Sequence, residues 1–215
     1  MGIYCTIAKA DGKDAGLTTS AVNTAGDTRA RLIDAAIDLC TRHTFAGTSL
    51  QMIADELGFT KAAIYHHFRT REQLLDAVVG PILEQLRDIV ATAETQRTPH
   101  ARAEYLISGF AQLAVDNRVV SVLAADPSVA EMLRASREWD DLIERQMALL
   151  AAVNPGPAGP VRAAVALAGI AGASSPGFVD GNRDDLCEHL ADAGRRVLGL
   201  RTPRKVPAPN NSEEN

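Results

Sequence analysis

The sequence predicts an all-α protein, with an N-terminal three-helix helix-turn-helix domain followed by a larger helical domain. Apolar residues recur at spacings of three and four along most of the chain, and no segment shows the strict alternation of a half-buried strand. Two short helical patterns meet at Gly58, and each is preceded by a hydroxyl residue that can cap a helix. With 215 residues, 46% of them apolar, the chain can bury one good core and a second small one.

Charge and hydropathy narrow the functional class. The net charge of −5 argues against indiscriminate nucleic-acid binding, although a specific DNA reader needs only a suitable local surface. No apolar run reaches the roughly 18–20 residues of a membrane-spanning helix, and the first residues lack the pattern of a signal peptide. We therefore expect a cytoplasmic protein with no membrane partner.

The first 26 residues are rich in Gly, Thr, Ser, Ala and Asp and show no sustained period, which predicts a flexible arm. Asp27 or Thr28 is then expected to cap the first long helix, whose apolar face includes Ile33, Ala36 and Ile37. This helix would support the two helices that follow it.

The helix-turn-helix pattern occupies the segment from Gly47 to Leu75. A helix from about Ser49 to Leu57 follows the hydroxyl residues Thr48 and Ser49, and Gly58 stands where a helix end favours positive φ. Thr60 can cap the second helix, in which Ile64 and Phe68 lie one turn apart and face the first.

The outer face of that second helix suits DNA. Ala62 and Ala63 would let the backbone approach a groove floor, while Lys61 can reach a base acceptor or a phosphate. Tyr65 and the adjacent histidines carry donors for phosphate oxygens, although a core position for Tyr65 and a plain surface position for the histidines are also open. The candidate DNA-binding residues are Thr48, Ser49, Gln51, Thr60, Lys61, Ala62, Ala63, Tyr65, His66, His67 and Arg71.

The stretch GTSLQMIADELGFTKAAIYHHFRTREQLL resembles the DNA-binding segment of the TetR (tetracycline-repressor-like) family of bacterial transcription regulators. The resemblance implies groove reading by Lys61 and the two alanines after it, and phosphate binding by Tyr65 and His67. Two departures stand out: Ala62 replaces a common Gly, and Arg71 replaces a common Lys. The resemblance also implies binding to double-stranded operator DNA and release by a small-molecule effector.

Thr70 is expected to cap a further helix, in which the apolar pattern continues to Ile89. Gly80-Pro81 interrupts this pattern, and the proline predicts a kink. We expect this long helix to lead from the DNA-binding domain into the second domain and to act as a lever. Everything beyond is predicted helical apart from loops at 154–160 and 174–182. The predicted domains are a flexible arm at 1–26, the DNA-binding domain at 27–75, an effector-binding and dimerisation domain at 76–200, and a disordered tail at 201–215.

The last two helices are predicted to form a homodimer. The segment from Pro160 to Ser174 is dense in alanine, valine and glycine, so its backbone can approach another helix closely, and a second pattern runs from Leu186 to Leu200. In the resembled family these helices pair with those of a second subunit. A purely intrachain core is the rival interpretation.

The resemblance implies a ligand pocket in the second domain, and the little buried charge there favours an apolar or mixed effector. Plain core positions remain the alternative for each of the bulky candidates, which are Tyr105, Phe110, Met132, Trp139 and Met147.

Three other functions are alternatives for this sequence. An enzyme using His66 and His67 is disfavoured, because consecutive histidines on a helix point about 100° apart and no carboxylate or thiol stands at ligand spacing. We expect no catalytic residue, cofactor or metal. A helical ligand-binding or interaction protein without DNA recognition, and a transcriptional activator, remain alternatives to a repressor.

Overall fold

The computed structural model describes residues 19–175 and 182–201, and regular structure there is helical throughout, which confirms the all-α prediction. Residues 1–18 of the predicted arm, residues 176–181 and residues 202–215 of the predicted tail lie outside the described residues. The helices are α1 (Thr19–Gly47), α2 (Leu50–Glu56), α3 (Lys61–His67), α4 (Arg71–Glu94), α5 (Pro99–Asp116), α6 (Arg118–Ala125), α7 (Pro127–Arg134), α8 (Arg137–Ala151), α9 (Ala158–Ala173) and α10 (Arg183–Leu198).

The first helix begins earlier than predicted. It starts at Thr19, so the expected arm is wrong for residues 19–26, and neither Asp27 nor Thr28 caps a helix start. No proline lies in this stretch, and a single helical glycine such as Gly26 costs only about 1 kcal/mol. Near its other end the helix breaks at Thr44, whose φ of 63° and ψ of 163° are not helical.

The head is formed by α1, α2, α3 and the first turn of α4. Its core contains Leu32 from α1, Ile53 and Ala54 from α2, and Ile64 from α3, all at most 1% exposed, with Phe68 directly after α3. Ala54 is small and fully buried, so α2 and α3 can approach closely, as its position in the pattern predicts.

The remaining helices build the body around α5, which contacts α4, α6, α8, α9 and α10. Its residues Leu106, Ile107 and Ala111 are completely buried. Among the described residues, no single helix is long and apolar enough to cross a membrane. One pair, Pro99–Asp116 with Arg118–Ala124, meets the length and composition together but is bent by 100°.

Helix α4 belongs to both parts of the molecule. It contributes Leu74 to the head core and Ile82 and Leu86 to the body core. The predicted domain boundary at 75/76 falls inside this helix and stays a prediction. Helix α4 continues through Pro81 as one helix, and the kink expected at Gly80-Pro81 stays a prediction.

Replacing Pro81 by alanine should stabilise the protein. Pro81 is exposed and has no N–H to donate to the carbonyl of Ala77, so Pro81→Ala restores a helical hydrogen bond without opening a cavity. We expect the free energy of unfolding in urea to rise by about 1–3 kcal/mol. Pro99→Ala is the control, because Pro99 lies at the start of α5 where no amide donor is needed. Equal effects of the two changes would contradict this account of Pro81.

Candidate nucleic-acid interface and internal cavity

The turn between α2 and α3 is fixed by local interactions. Gly58 adopts a φ of 68°, and the Phe59 amide donates to the Ala54 carbonyl at 2.8 Å, which closes the end of α2. The Ser49 hydroxyl accepts a hydrogen bond from the Met52 amide at 3.2 Å, and the Thr60 hydroxyl accepts one from the Ala63 amide, also at 3.2 Å. The two short helices are therefore held at defined ends, as the sequence predicts.

Helix α3 has one buried and one exposed face. Ile64 is fully buried, whereas Lys61, Ala62 and His66 are exposed and Tyr65 is 42% exposed. The Lys61 Nζ lies 5.7 Å from the centre of the Tyr65 ring, so both side chains occupy the same side of the helix. This face offers a cation, a phenol, imidazoles and two small residues to a partner outside the head.

Not every candidate DNA-binding residue lies on this face. Thr48 is buried and donates to the Thr44 carbonyl at 2.8 Å. The Arg71 guanidinium lies over the Phe45 ring, 4.8 Å from its centre, and donates to the Phe45 carbonyl. The structure thus turns both side chains inward. Gln51, on α2, is half-buried and donates from Nε2 to the Asp55 carboxylate at 2.7 Å.

A buried joint connects the head to the body at Phe45, just after the break at Thr44. The Phe45 amide donates to Oδ2 of Asp126 at 2.6 Å, and the Phe45 ring packs with Leu75 of α4 and Val129 of α7. Because its carbonyl also receives the Arg71 guanidinium, Phe45 is fixed from three directions. Sequence reasoning missed this role of Asp126, since Phe45 lies 81 positions away.

The Asp126 carboxylate is held in its ionised form. Burial alone would raise its pKa, but hydrogen bonds donated by Ser128 and by the Phe45 and Ser128 amides outweigh burial, so the pKa of Asp126 lies below its ordinary value. The Ser128 hydroxyl and amide are 2.7 Å and 3.0 Å from Oδ1. Asp126 therefore caps α7 with one oxygen and binds the head with the other.

The body contains a cavity of about 440 Å³, here called the body cavity, with walls from α4 to α9. This volume is within the range of small-molecule sites. Its charged residues, Arg134 and Asp140, are exposed, whereas Gln146 is 1% exposed and its Nε2 is buried without a hydrogen-bond partner. The lining residues used below are Leu86, Phe110, Leu133, Trp139, Met147 and Leu167.

Three of the five candidate ligand residues, Phe110, Trp139 and Met147, line the body cavity. Met132 packs instead beside the buried cluster around Phe45, and Tyr105 is 42% exposed, so neither belongs to the cavity wall. Sequence reasoning missed Gln146 as a lining residue, although the sequence carries a signal for this glutamine. It interrupts the apolar stripe of α8 between Leu142 and Leu150, both of which are buried.

Helix α9 leaves an apolar strip unburied. Val161 is 63% exposed and Val165 is 54% exposed, with Gly169 and Gly172 exposed on the same side of the helix. At about 100° per residue these four positions lie within one quarter-turn of the helix surface. Nothing lies within 4 Å of a Cβ built at Gly169 or Gly172, so the strip is open to a close partner.

Residues 32–78 match the family model described as bacterial regulatory proteins, tetR family. The matched range contains α2, the turn at Gly58, α3 and the start of α4. Over this segment the chain is similar to the tetR family. Two of the relatives that follow are named as transcription regulators.

Three relatives illustrate how far the tetR-family likeness extends. The transcriptional repressor KstR2 of Rhodococcus jostii (strain RHA1) is 32% identical over 73 residues, which cover 32% of this chain and 36% of the repressor. The chain thus matches about a third of that relative's length. The structure of the ketosteroid transcriptional regulator KstR2 of Mycobacterium tuberculosis superposes with a TM-score of 0.63 at 16% identity, covering 80% of this chain and 93% of that one.

A third likeness is to AibR, whose structure was solved in complex with isovaleryl coenzyme A and operator DNA. It gives a TM-score of 0.56 at 18% identity and covers 77% of this chain and 96% of AibR. At these identities the two structures show a likeness of fold alone, and it extends over most of the chain and not only over the head.

Within this tetR-family fold, Asp126→Ala should lower the free energy of unfolding by about 2–4 kcal/mol, because it removes a charged acceptor from a buried amide. The deficit should persist above about pH 5 and shrink as the pH falls below about 4, since a carboxyl with a lowered pKa stabilises the fold while ionised and ceases to do so once protonated. Urea unfolding across this pH range checks the prediction. Asp76→Ala, at an exposed aspartate of α4, is the control, and the same deficit in both variants would refute the role of Asp126.

Proposed function

We propose that this chain is a dimeric, ligand-responsive transcriptional repressor that inserts α3 of each subunit into the major groove of a palindromic operator. The observation that supports the proposal is that α3 has one buried face and one exposed face. Its Ile64 side is locked into the head core, so its Lys61 and Tyr65 side is presented as a rigid surface. Rigid presentation matters because base contacts require positions fixed to a fraction of an ångström.

Each exposed residue has a suitable partner on DNA. Lys61, at the first position of α3, can reach a base acceptor, and Ala62 and Ala63 permit close approach to the groove floor. The Tyr65 hydroxyl and the His67 imidazole supply donors to phosphate oxygens, which set the register of the head on the duplex. Thr48 and Arg71 lie inside the head and support this surface. The other candidate residues would contact the DNA directly.

We propose that the effector acts through α7. The same short helix contributes Leu133 to the wall of the body cavity and begins at Asp126, which binds the head at Phe45. A ligand that displaces Leu133 would therefore move the anchor of the head. A shift of about 1–3 kcal/mol in operator affinity is typical of such coupling and suffices for release.

We propose that two subunits pair through α9 and α10. The open strip of Val161, Val165 and the glycines on α9 is apolar and small, which suits helix-to-helix contact across a twofold axis. Reading two half-sites requires heads about 34–36 Å apart, a spacing that a symmetric dimer can set. We place the dimer in the cytoplasm, together with the operator DNA.

The named relatives support parts of this proposal. KstR2 of Rhodococcus jostii is described as a repressor, which favours repression over activation. AibR was crystallised with both operator DNA and a coenzyme A ester, so one protein of this fold binds both kinds of partner. A ligand-binding protein without DNA recognition is disfavoured by the intact and exposed α3 face.

The test of DNA recognition is selection from a random duplex library, followed by gel-shift titration at about 150 mM salt with excess competitor DNA, because binding at low salt is not informative about specificity. We expect a palindrome to be enriched. Lys61→Ala should then weaken binding to it about tenfold or more, since one groove contact is worth about 1–3 kcal/mol.

Arg97→Ala is the matched control for Lys61→Ala. It removes one positive charge from an exposed position between α4 and α5, far along the chain from the head. If both variants lost the same affinity, general charge and not a reading helix would explain the binding. Failure to enrich any sequence would refute the proposed function.

The dimer has its own test. Val165→Glu places a charge in the exposed strip of α9 and should convert the dimer to a 22.9 kDa monomer in sedimentation velocity, with helical content unchanged. Tyr105→Glu puts the same charge on another exposed large side chain, on α5, and should leave the dimer intact. A Val165→Glu protein that remains dimeric would show that the subunits pair elsewhere.

A further inference from the structure

We propose that the ligand of the body cavity is a mainly hydrocarbon molecule carrying an uncharged acceptor oxygen, such as a ketone or ester carbonyl, which is bound by the side-chain amide of Gln146. The inference rests on the proposed ligand-responsive function and specifies the chemistry of its effector. It names a specificity-determining residue on α8.

The inference is based on the side-chain amide of Gln146, which lies in the apolar wall of the body cavity and whose nitrogen has no hydrogen-bond partner among the described residues. Gln146 is 1% exposed, and its Nε2 has no hydrogen bond to any described residue. Buried side-chain amides are nearly always hydrogen bonded, so an orphaned one needs an explanation. Gln146 lines the body cavity, so a turn of its side chain would bring this amide to a ligand oxygen, which would supply the missing acceptor.

The position of Gln146 argues against a purely structural role. It lies in the apolar stripe of α8, one turn from Leu142 and one turn from Leu150, where leucine would fill the same space without a polar group. Along the cavity wall its neighbours on α8 are Ile143 and Met147, both apolar. A single amide in such a wall orients a bound molecule, as the few polar groups of ligand sites commonly do.

The other residues that line the body cavity determine the polarity of the rest of the ligand. Phe110, Trp139 and Leu167 present hydrocarbon surface, so most of the enclosed molecule must be apolar. The charged lining residues, Arg134 and Asp140, are exposed, which places them at the mouth of the cavity. An ionic group deep inside would meet no countercharge there, so the enclosed oxygen must be uncharged.

The test is a double-mutant cycle with two probes that share one carbon skeleton, 4-cyclohexylcyclohexanone and bicyclohexyl. Their dissociation constants are measured on the full chain by displacement of N-phenyl-1-naphthylamine. Because the hydrocarbon is intrinsically more hydrophobic, the informative quantity is the ratio of the two constants, compared between the wild type and Gln146→Leu.

We expect Gln146→Leu to shift that ratio against the ketone by about five- to tenfold, which corresponds to one hydrogen bond. Gln85→Leu, the same change at an exposed glutamine of α4, should leave the ratio at its wild-type value. Gln146→Met serves as a second variant of similar volume if the leucine protein folds poorly.

An unchanged ratio in both Gln146 variants would overturn the inference, and so would a wild-type cavity that takes up neither probe. The first result would leave the proposed function standing, because operator selection and the Lys61→Ala titration are read out without any probe. If no sequence-specific DNA binding were found while Gln146→Leu still shifted the ratio of the two dissociation constants, the proposed function would be refuted and the inferred chemistry of the body cavity would stand.

Discussion

The hydrogen bond from the Phe45 amide to the buried Asp126 carboxylate fixes how the head sits on the body. A buried carboxylate is tolerated only where donors surround it, and here the donors come from α7 itself and from the end of α1. Moving the head away from the body therefore deprives the Asp126 carboxylate of the hydrogen bond donated by the Phe45 amide. Such a contact favours discrete positions over gradual sliding, because a partly broken charged hydrogen bond is costly.

The backbone around Phe45 is shaped for this contact. Thr44 adopts a φ of 63°, a conformation that non-glycine residues rarely hold unless neighbouring contacts determine it. Those contacts are the hydrogen bond that the Phe45 amide donates to the Asp126 carboxylate and the one that the Arg71 guanidinium donates to the Phe45 carbonyl. Arg71, expected to bind phosphate, thus serves the joint, and its inward orientation ties the start of α4 to the end of α1.

The head was predictable from the sequence because its rules are local. The caps at Ser49 and Thr60, the positive φ of Gly58 and the burial of Ile64 all follow from residues within one turn of each other. The start of α1 was missed because a polar stretch without proline has no clear boundary signal. The joint at Asp126 and the orphaned amide of Gln146 depend on contacts between distant segments, which spacing along the chain does not reveal.

Helix α9 carries three surfaces that the proposals use together. Ala163 and Ile170 are buried in the body, Leu167 and Ala171 line the cavity, and Val165 lies in the exposed strip. Small residues dominate because each side needs a close neighbour, and the mean hydropathy of such a helix is high all round. A ligand in the cavity would thus contact the same helix that carries the exposed strip. In the proposed dimer, the ligand would then act on the spacing of the two heads by two routes: directly through α7 and Asp126, and through the subunit contact at α9.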